Sequence, residues 1–176
     1  GNYKIVPNVV DTNLFTPIKK IDDKTFKIIH ISNHLDEHKN IRGMLNVAKK
    51  LEDEIPNFEW KFIGGKESDY KKEIAQLNST KVKFIAHIPH SEMAKHLQES
   101  EIFVLFSNYE NLPCVILESF SCGVGVISTD VGGINEFFPD SFGHLIAKKD
   151  ENELLNKLVE TYKHPIKDKE KMHQYA

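Results

Sequence analysis

Apolar positions along the chain fall into short runs separated by longer amphipathic stretches. Phe26-Lys-Ile-Ile-His-Ile31, Phe58-Glu-Trp-Lys-Phe-Ile63, Val82-Lys-Phe-Ile85, Ile102-Phe-Val-Leu-Phe106, Val124 to Ser128 and Gly143-His-Leu-Ile146 have the length and residue types of strands. Between them, Ile41, Met44, Leu45, Val47, Ala48 and Leu51 recur at helical spacing. The pattern predicts further helices from Tyr70 to Leu77, from a Ser91 cap to about Glu99, from Pro113 to the Gly123 stop, in a short piece ending near Pro139, and around Leu154, Leu155, Leu158 and Val159. Ser32 to Asn40 reads as a polar loop, Ile18 to Lys24 as charged and exposed, and Lys163 to Ala176 as a polar tail that frays or needs another domain. Strands and helices alternate throughout. That order argues for βαβ units and an α/β fold: a Rossmann-like parallel β-sheet with helices on both faces. Ligands of such sheets bind beyond the carboxyl ends of the strands, so the loops after Ile31, Ile63, Ile85, Phe106 and Ser128 are the ones to watch.

The stretch from Phe103 to Phe120 organises the rest. A buried strand runs into a polar turn, Ser107 to Asn111, and then into a helix opened by Leu112-Pro113. A helix N-terminus gathers free backbone N–H groups and partial positive charge, so it can hold a phosphate. Pro113 has no N–H, which leaves Leu112, Cys114 and Val115 as the donors of such a cradle; the alternative is a plain strand-to-helix turn. Glu110 lies in the loop, either as a solvated acid or facing a ligand. Glu118 is the only charged residue between Pro113 and Ile127. It either points to water or is buried against hydrogen-bond donors, and ligand hydroxyls are such donors.

Composition narrows the function classes. At 176 residues, 40% hydrophobic and 28% charged, the chain has enough material for one well-packed domain. A formal net charge of −3 gives no general case for nucleic acid or an anionic membrane. No apolar run approaches the roughly 18 residues of a membrane span, and no signal peptide is expected within this sequence. Cys114 and Cys122 sit too far apart on one helix to bridge and read as small core residues of a reducing compartment. The nine histidines show no pair with convincing metal-ligand spacing, so no metal site is expected.

Glu110-Asn-Leu-Pro-Cys-Val-Ile-Leu-Glu118, followed by Ser-Phe-Ser-Cys-Gly-Val-Gly-Val-Ile-Ser-Thr-Asp-Val-Gly-Gly-Ile-Asn-Glu136, resembles the E-x7-E motif and the strand and glycine turn after it in retaining GT-B glycosyltransferases of family 4, the group 1 glycosyl transferases. Val6-Pro-Asn-Val-Val-Asp-Thr-Asn-Leu-Phe-Thr-Pro17 is similar to the segment that links the two GT-B domains in that family, with Val9 where the family carries glycine. The chain begins Gly1-Asn2, without a starting methionine, and reads as part of a longer protein. The resemblance implies one half of a GT-B fold: residues 1–17 as interdomain linker and 18–176 as the C-terminal nucleotide-sugar-binding domain, with the acceptor domain outside this chain.

It also implies roles. The first acid, Glu110, would contact donor-sugar hydroxyls near the anomeric centre. Glu118 would hold the ribose hydroxyls of the nucleotide. In Ser32-Asn-His-Leu-Asp-Glu-His-Lys39 the family pattern of glycine-arginine and a later lysine, set against Lys39, places Asn33 and His34 where glycine and arginine are usual. His34 is a departure: histidine is only partly protonated near neutral pH and lacks arginine's fork. Lys39 would be the phosphate cation; otherwise it is a solvated lysine. Gly64-Gly65 either admits a ligand closely or merely turns the chain. The backbone around Ile88, in His87-Ile-Pro-His90, would border the base. Gly132 and Gly133 would allow close approach to the sugar or phosphate. Gly125 stands where the family often has proline, which bears on strand rigidity more than on chemistry.

The implied activity is transfer from a UDP- or GDP-sugar to an acceptor hydroxyl, with no cofactor and no metal, in bacterial polysaccharide or glycoconjugate synthesis. The acceptor, a glycan or lipid-linked sugar, would be met through the N-terminal domain, and so would any inner-membrane surface; the chain itself is expected to be cytoplasmic and inactive alone. One rival is a non-catalytic nucleotide-sugar-binding module of the same ancestry, favoured by His34. Another is an unrelated doubly wound domain of the flavodoxin or response-regulator type, for which the N-terminus lacks the phosphate loop or acidic cluster.

Overall fold

The computed structural model describes residues 9–19, 24–33, 36–78 and 81–176. Six strands, β1 (Phe26–Ile31), β2 (Phe58–Ile63), β3 (Val82–Ile85), β4 (Ile102–Leu105), β5 (Gly125–Thr129) and β6 (Gly143–Ile146), form one sheet in the order β3-β2-β1-β4-β5-β6. Every pairing is parallel. This is the doubly wound order, and its direction reverses between β1 and β4, where a crevice opens. The β1–β4 pairing covers only Ile28↔Ile102 and Ile29↔Phe103, although both strands run further. Past that point the buried ring of His30 bridges the two strands, its Nδ1 2.8 Å from the Val104 carbonyl oxygen. A carbonyl only accepts, so Nδ1 carries the proton.

Two apolar cores lie on opposite faces. Helices α2 (Ile41–Glu54) and α6 (Glu151–Lys163) pack on one, with Met44, Leu51, Trp60, Phe62, Leu154 and Leu158 at its centre. Helices α4 (His90–Gln98) and α5 (Cys114–Ser121) pack on the other, with Phe103, Leu105, Ile116 and Phe120. The split follows strand alternation: Ile28 faces one core and Ile29 the other. Two helical pieces are single turns, α1 (Asp36–Lys39) within the expected polar loop and α3 (Lys71–Ile74).

Four expectations are corrected. The helix expected over Tyr70 to Leu77 is a 3₁₀ turn, Glu67–Tyr70, followed by α3 and two i→i+3 turns, too short a run to propagate as a full helix. Helix α4 begins at His90 after Pro89, so Ser91 lies inside the first turn and is not the cap. Cys114 is exposed; only Cys122 is a core residue. The polar tail is not frayed: α7 (Lys169–Tyr175) packs on the α5 side, with Met172 fully buried, His173 Nδ1 donating to the Ser121 carbonyl at 2.7 Å and the Tyr175 hydroxyl donating to the Phe137 carbonyl at 2.6 Å. Gly125 is explained by this tail, because a Cβ there would meet the Ile166 side chain at 2.4 Å. Within residues 9–19, Phe15 is fully buried and its carbonyl accepts from Ser121 Oγ at 2.5 Å.

Candidate functional site

The loop after β1, including α1, and the loop after β4 meet across the β1/β4 crevice. Asn108 binds the α1 backbone twice, its N–H donating to the His38 carbonyl at 2.7 Å and its Nδ2 to the Glu37 carbonyl at 3.0 Å. Tyr109 lies edge-on to His38. These contacts hold Lys39 against Glu110, Nζ to Oε1 at 2.5 Å, and Ser107 Oγ donates to the same oxygen at 2.6 Å. Glu110 is 7% exposed and Lys39 19%. A desolvated carboxylate is tolerated because a cation and a hydroxyl satisfy it. Glu110 is therefore not a solvated loop acid.

Helix α5 starts at the end of this loop. Pro113 has extended backbone, φ −75° and ψ 100°, and is the N-cap without a side-chain bond. In the first turn Cys114 and Val115 carry amides that have no carbonyl four residues back within the helix. Glu118 is 6% exposed, so it does not point to water. Its Oε1 accepts from His90 Nε2 at 2.7 Å.

Gly132 and Gly133 both have positive φ, 63° and 78°. A Cβ on Gly132 would lie 2.0 Å from the Glu110 carbonyl oxygen, so this glycine lets the β5 loop pass directly under the β4 loop. Among the described residues, a Cβ on Gly133 would meet only the Glu136 carboxylate, at 3.3 Å. Gly64, φ 108°, plays the same role at the neighbouring loop, since a Cβ there would lie 1.9 Å from the Ser32 carbonyl oxygen. A cavity of about 150 Å³ opens beside it, lined among others by Asn33, Gly64, His87, Ile88 and Met93; Gly65 is half-buried next to it. Thus Asn33, Gly64 and Ile88, 55 residues apart in sequence at the extremes, share one hollow at the carboxyl ends of β1 and β2. His34 and the Val6-Pro7-Asn8 motif lie outside the described residues.

Three contributors escaped the sequence reading: His30, Ser107 and His90. Ser107 follows a strand end and precedes Glu110 by one turn's reach, which was a usable signal. His30 and His90 gave none, because their partners are 74 and 28 residues away. Among the described residues no group of three or more His, Cys, Asp or Glu is placed to hold a metal ion, and no helix is long and apolar enough to cross a membrane.

The family model described as "Glycosyl transferases group 1" matches residues 15–176. A probable sucrose-phosphate synthase of Thermosipho melanesiensis is 31% identical over 159 residues, 84% of this chain and 37% of the relative. A phosphatidylinositol N-acetylglucosaminyltransferase of Schizosaccharomyces pombe, its gpi3 subunit, is 25% identical over 157 residues, 88% of this chain and 34% of the relative. Among solved structures, sucrose-phosphate synthase from Thermosynechococcus elongatus superposes with a TM-score of 0.79 at 21% identity, covering 97% of this chain and 47% of that one. S. aureus TarM, solved in complex with fondaparinux, α-GlcNAc-glycerol and UDP, gives 0.75 at 18% identity over 85% of this chain and 31% of its own. The chain spans less than half the length of each of these relatives.

Proposed function

The chain belongs to the group 1 glycosyl transferases, and from that premise we propose that it is the C-terminal, donor-binding domain of a retaining GT-B enzyme, residues 1–17 being the linker from a preceding acceptor domain. The observation that carries this reading is the meeting of Lys39 and Glu110 at the β1/β4 crevice, directly before the start of α5.

The chemistry follows from the placement. The donor is a nucleoside diphosphate sugar. Its diphosphate lies against the first-turn amides of α5, Cys114 and Val115, and against Lys39. As the glycosidic bond breaks, negative charge grows on the leaving phosphate, and these preorganised donors stabilise it where it grows. Glu110 then faces the sugar hydroxyls near the anomeric carbon, and Glu118 the ribose hydroxyls. The hollow beside Gly64 and Ile88 takes the edge of the base. The acceptor hydroxyl attacks from the face the diphosphate leaves, and a phosphate oxygen takes its proton; no metal enters. Gly133, with its open surroundings, borders the sugar or phosphate more closely than Gly132. TarM's complex with UDP puts UDP first among the probes, and GDP second. A glycan or lipid-linked acceptor in bacterial polysaccharide or glycoconjugate synthesis, handled in the cytoplasm by the longer protein, fits the same reading.

Calorimetric titration of the chain with UDP, GDP, ADP and CMP, without metal and again with EDTA, tests it. Metal-independent binding of one diphosphate, lost in Glu118→Ala, is the expected result. Binding that needs a divalent cation, or that survives Glu118→Ala unchanged, overturns it. One sequence feature favours a second reading, a binding module without catalysis: His34 in place of the family's arginine. Donor binding by the full-length protein without any sugar transfer or donor hydrolysis would select that reading.

A further inference from the structure

Glu118 is the only charged residue between Pro113 and Ile127, and it is only 6% exposed. A desolvated carboxylate is held in one orientation only if donors fix it. Among the described residues one side chain does so: His90, with Nε2 2.7 Å from Oε1. The carboxylate accepts, so Nε2 carries the proton. No described residue donates to the second oxygen, Oε2, which leaves it for a ligand.

His90 is itself placed by structure. It is the first residue of α4, set by the extended backbone of Pro89. Its ring leans on the fully buried ring of Phe15, centroids 5.1 Å apart. Its outer surface remains open, 60% exposed. A histidine there is not needed to fill the core.

We infer that His90 is a positioning residue for Glu118, and that by fixing Oε1 it turns Oε2 toward the ligand and gives the site its preference for ribose over deoxyribose. This rests on the donor-binding reading above. A carboxylate held on one side accepts a hydroxyl hydrogen bond at a defined place; a carboxylate free to rotate accepts one in many places and discriminates less. His90 donates to Glu118 and touches neither the sugar nor the reacting atoms.

The test is the affinity ratio of a ribonucleoside diphosphate to its 2′-deoxy form, measured by calorimetry with UDP, GDP and ADP on the wild type, His90→Phe, His90→Gln and Glu118→Gln. His90→Phe keeps a ring against Phe15 but cannot donate; His90→Gln keeps a donor. Inorganic pyrophosphate is the control ligand, since it has no ribose. A hydrogen bond to a charged group is expected to give the wild type a ratio of about tenfold or more. The ratio falls to about twofold in His90→Phe and Glu118→Gln, recovers at least half of its logarithm in His90→Gln, and pyrophosphate affinity stays constant throughout. A wild type that binds but shows no ribose preference overturns the inference. So does a His90→Phe variant that keeps the wild-type ratio, or one that weakens pyrophosphate as much as the nucleotide. A wild type that binds none of the three nucleotides overturns the donor-binding reading itself.

Discussion

Lys39 Nζ lies 2.5 Å from Glu110 Oε1, joining two loops whose residues are 71 positions apart. The pair ties the loop after β1 to the loop after β4 at the β1/β4 crevice. Each partner satisfies the other. A donor that takes both must replace that ion pair with its own charge and hydroxyls.

Removing the lysine is therefore expected to have a structural cost, apart from its part in the proposed donor site. Lys39→Met leaves Glu110 desolvated, with Ser107 as its remaining partner, and is expected to lower stability by about 2 kcal/mol, less than for a fully buried pair because Lys39 is partly exposed. Adding Glu110→Gln should restore about half of that loss. Urea denaturation of the two single variants and the double variant measures the coupling; strict additivity would show that the pair contributes nothing to the fold.

The two adjacent glycines of the β5 loop separate sharply. Gly132→Ala drives a methyl group into the Glu110 carbonyl and keeps a positive φ. It should cost about 3 kcal/mol or more. Gly133→Ala meets no backbone and should cost about 1 kcal/mol through its φ alone. Thermal melts of both variants check the order, and nucleotide titration of the folded Gly133→Ala protein reports whether a ligand approaches there. Equal losses from the two substitutions would contradict the packing described.

Two half-buried histidines set an acid limb of stability. His96 is held below the usual imidazole range first by desolvation and then by Lys61, with Lys95 acting the same way and Glu99 and Glu92 opposing; its Nδ1 is buried with no hydrogen-bond partner among the described residues. His144 is lowered by desolvation and by Lys157, with Glu160 opposing. The unfolded chain then binds more protons than the folded one below about pH 6.5. Their contribution is fully present above that pH and is lost as the pH falls through the lowered folded values. Denaturant midpoints should therefore decline below about pH 6.5, and the decline should be shallower in a His96→Gln, His144→Gln double variant. An unchanged slope in that variant would assign the acid limb to other groups.

The C-terminal helix is expected to be part of the cooperative unit. Met172→Ala removes a fully buried side chain from the α5 side and should destabilise by about 2–4 kcal/mol. Hydrogen exchange should show the amides of α7 protected to a similar degree as those of α5. Fast exchange in α7, with no effect of Met172→Ala, would return that segment to the status of a tail.

What could be read without coordinates was what short-range physics imposes. The bounds of Phe26–Ile31, Phe58–Ile63, Val82–Ile85 and Gly143–Ile146 coincide with the observed strands, because each run is rich in aromatic and branched apolar residues and is bounded by polar or turn-forming ones. The stop at Gly123 followed from its left-handed backbone, φ 68°. Alternation of strand and helix was enough for a parallel α/β sheet, and the family was legible only as a resemblance, carried by Glu110, Pro113, Glu118 and the later glycines, which the family model over residues 15–176 bears out. Tertiary structure alone decided which groups meet. His30 closing β1 to β4, Lys39 reaching Glu110, and His90 turning in to Glu118 all join residues that no period of 2 or 3.6 relates. Lys163 to Ala176 shows the same limit from the other side. Its polarity argued for a tail, but one buried methionine and two long-range hydrogen bonds suffice to dock it, and such contacts depend on where the chain ends up in space.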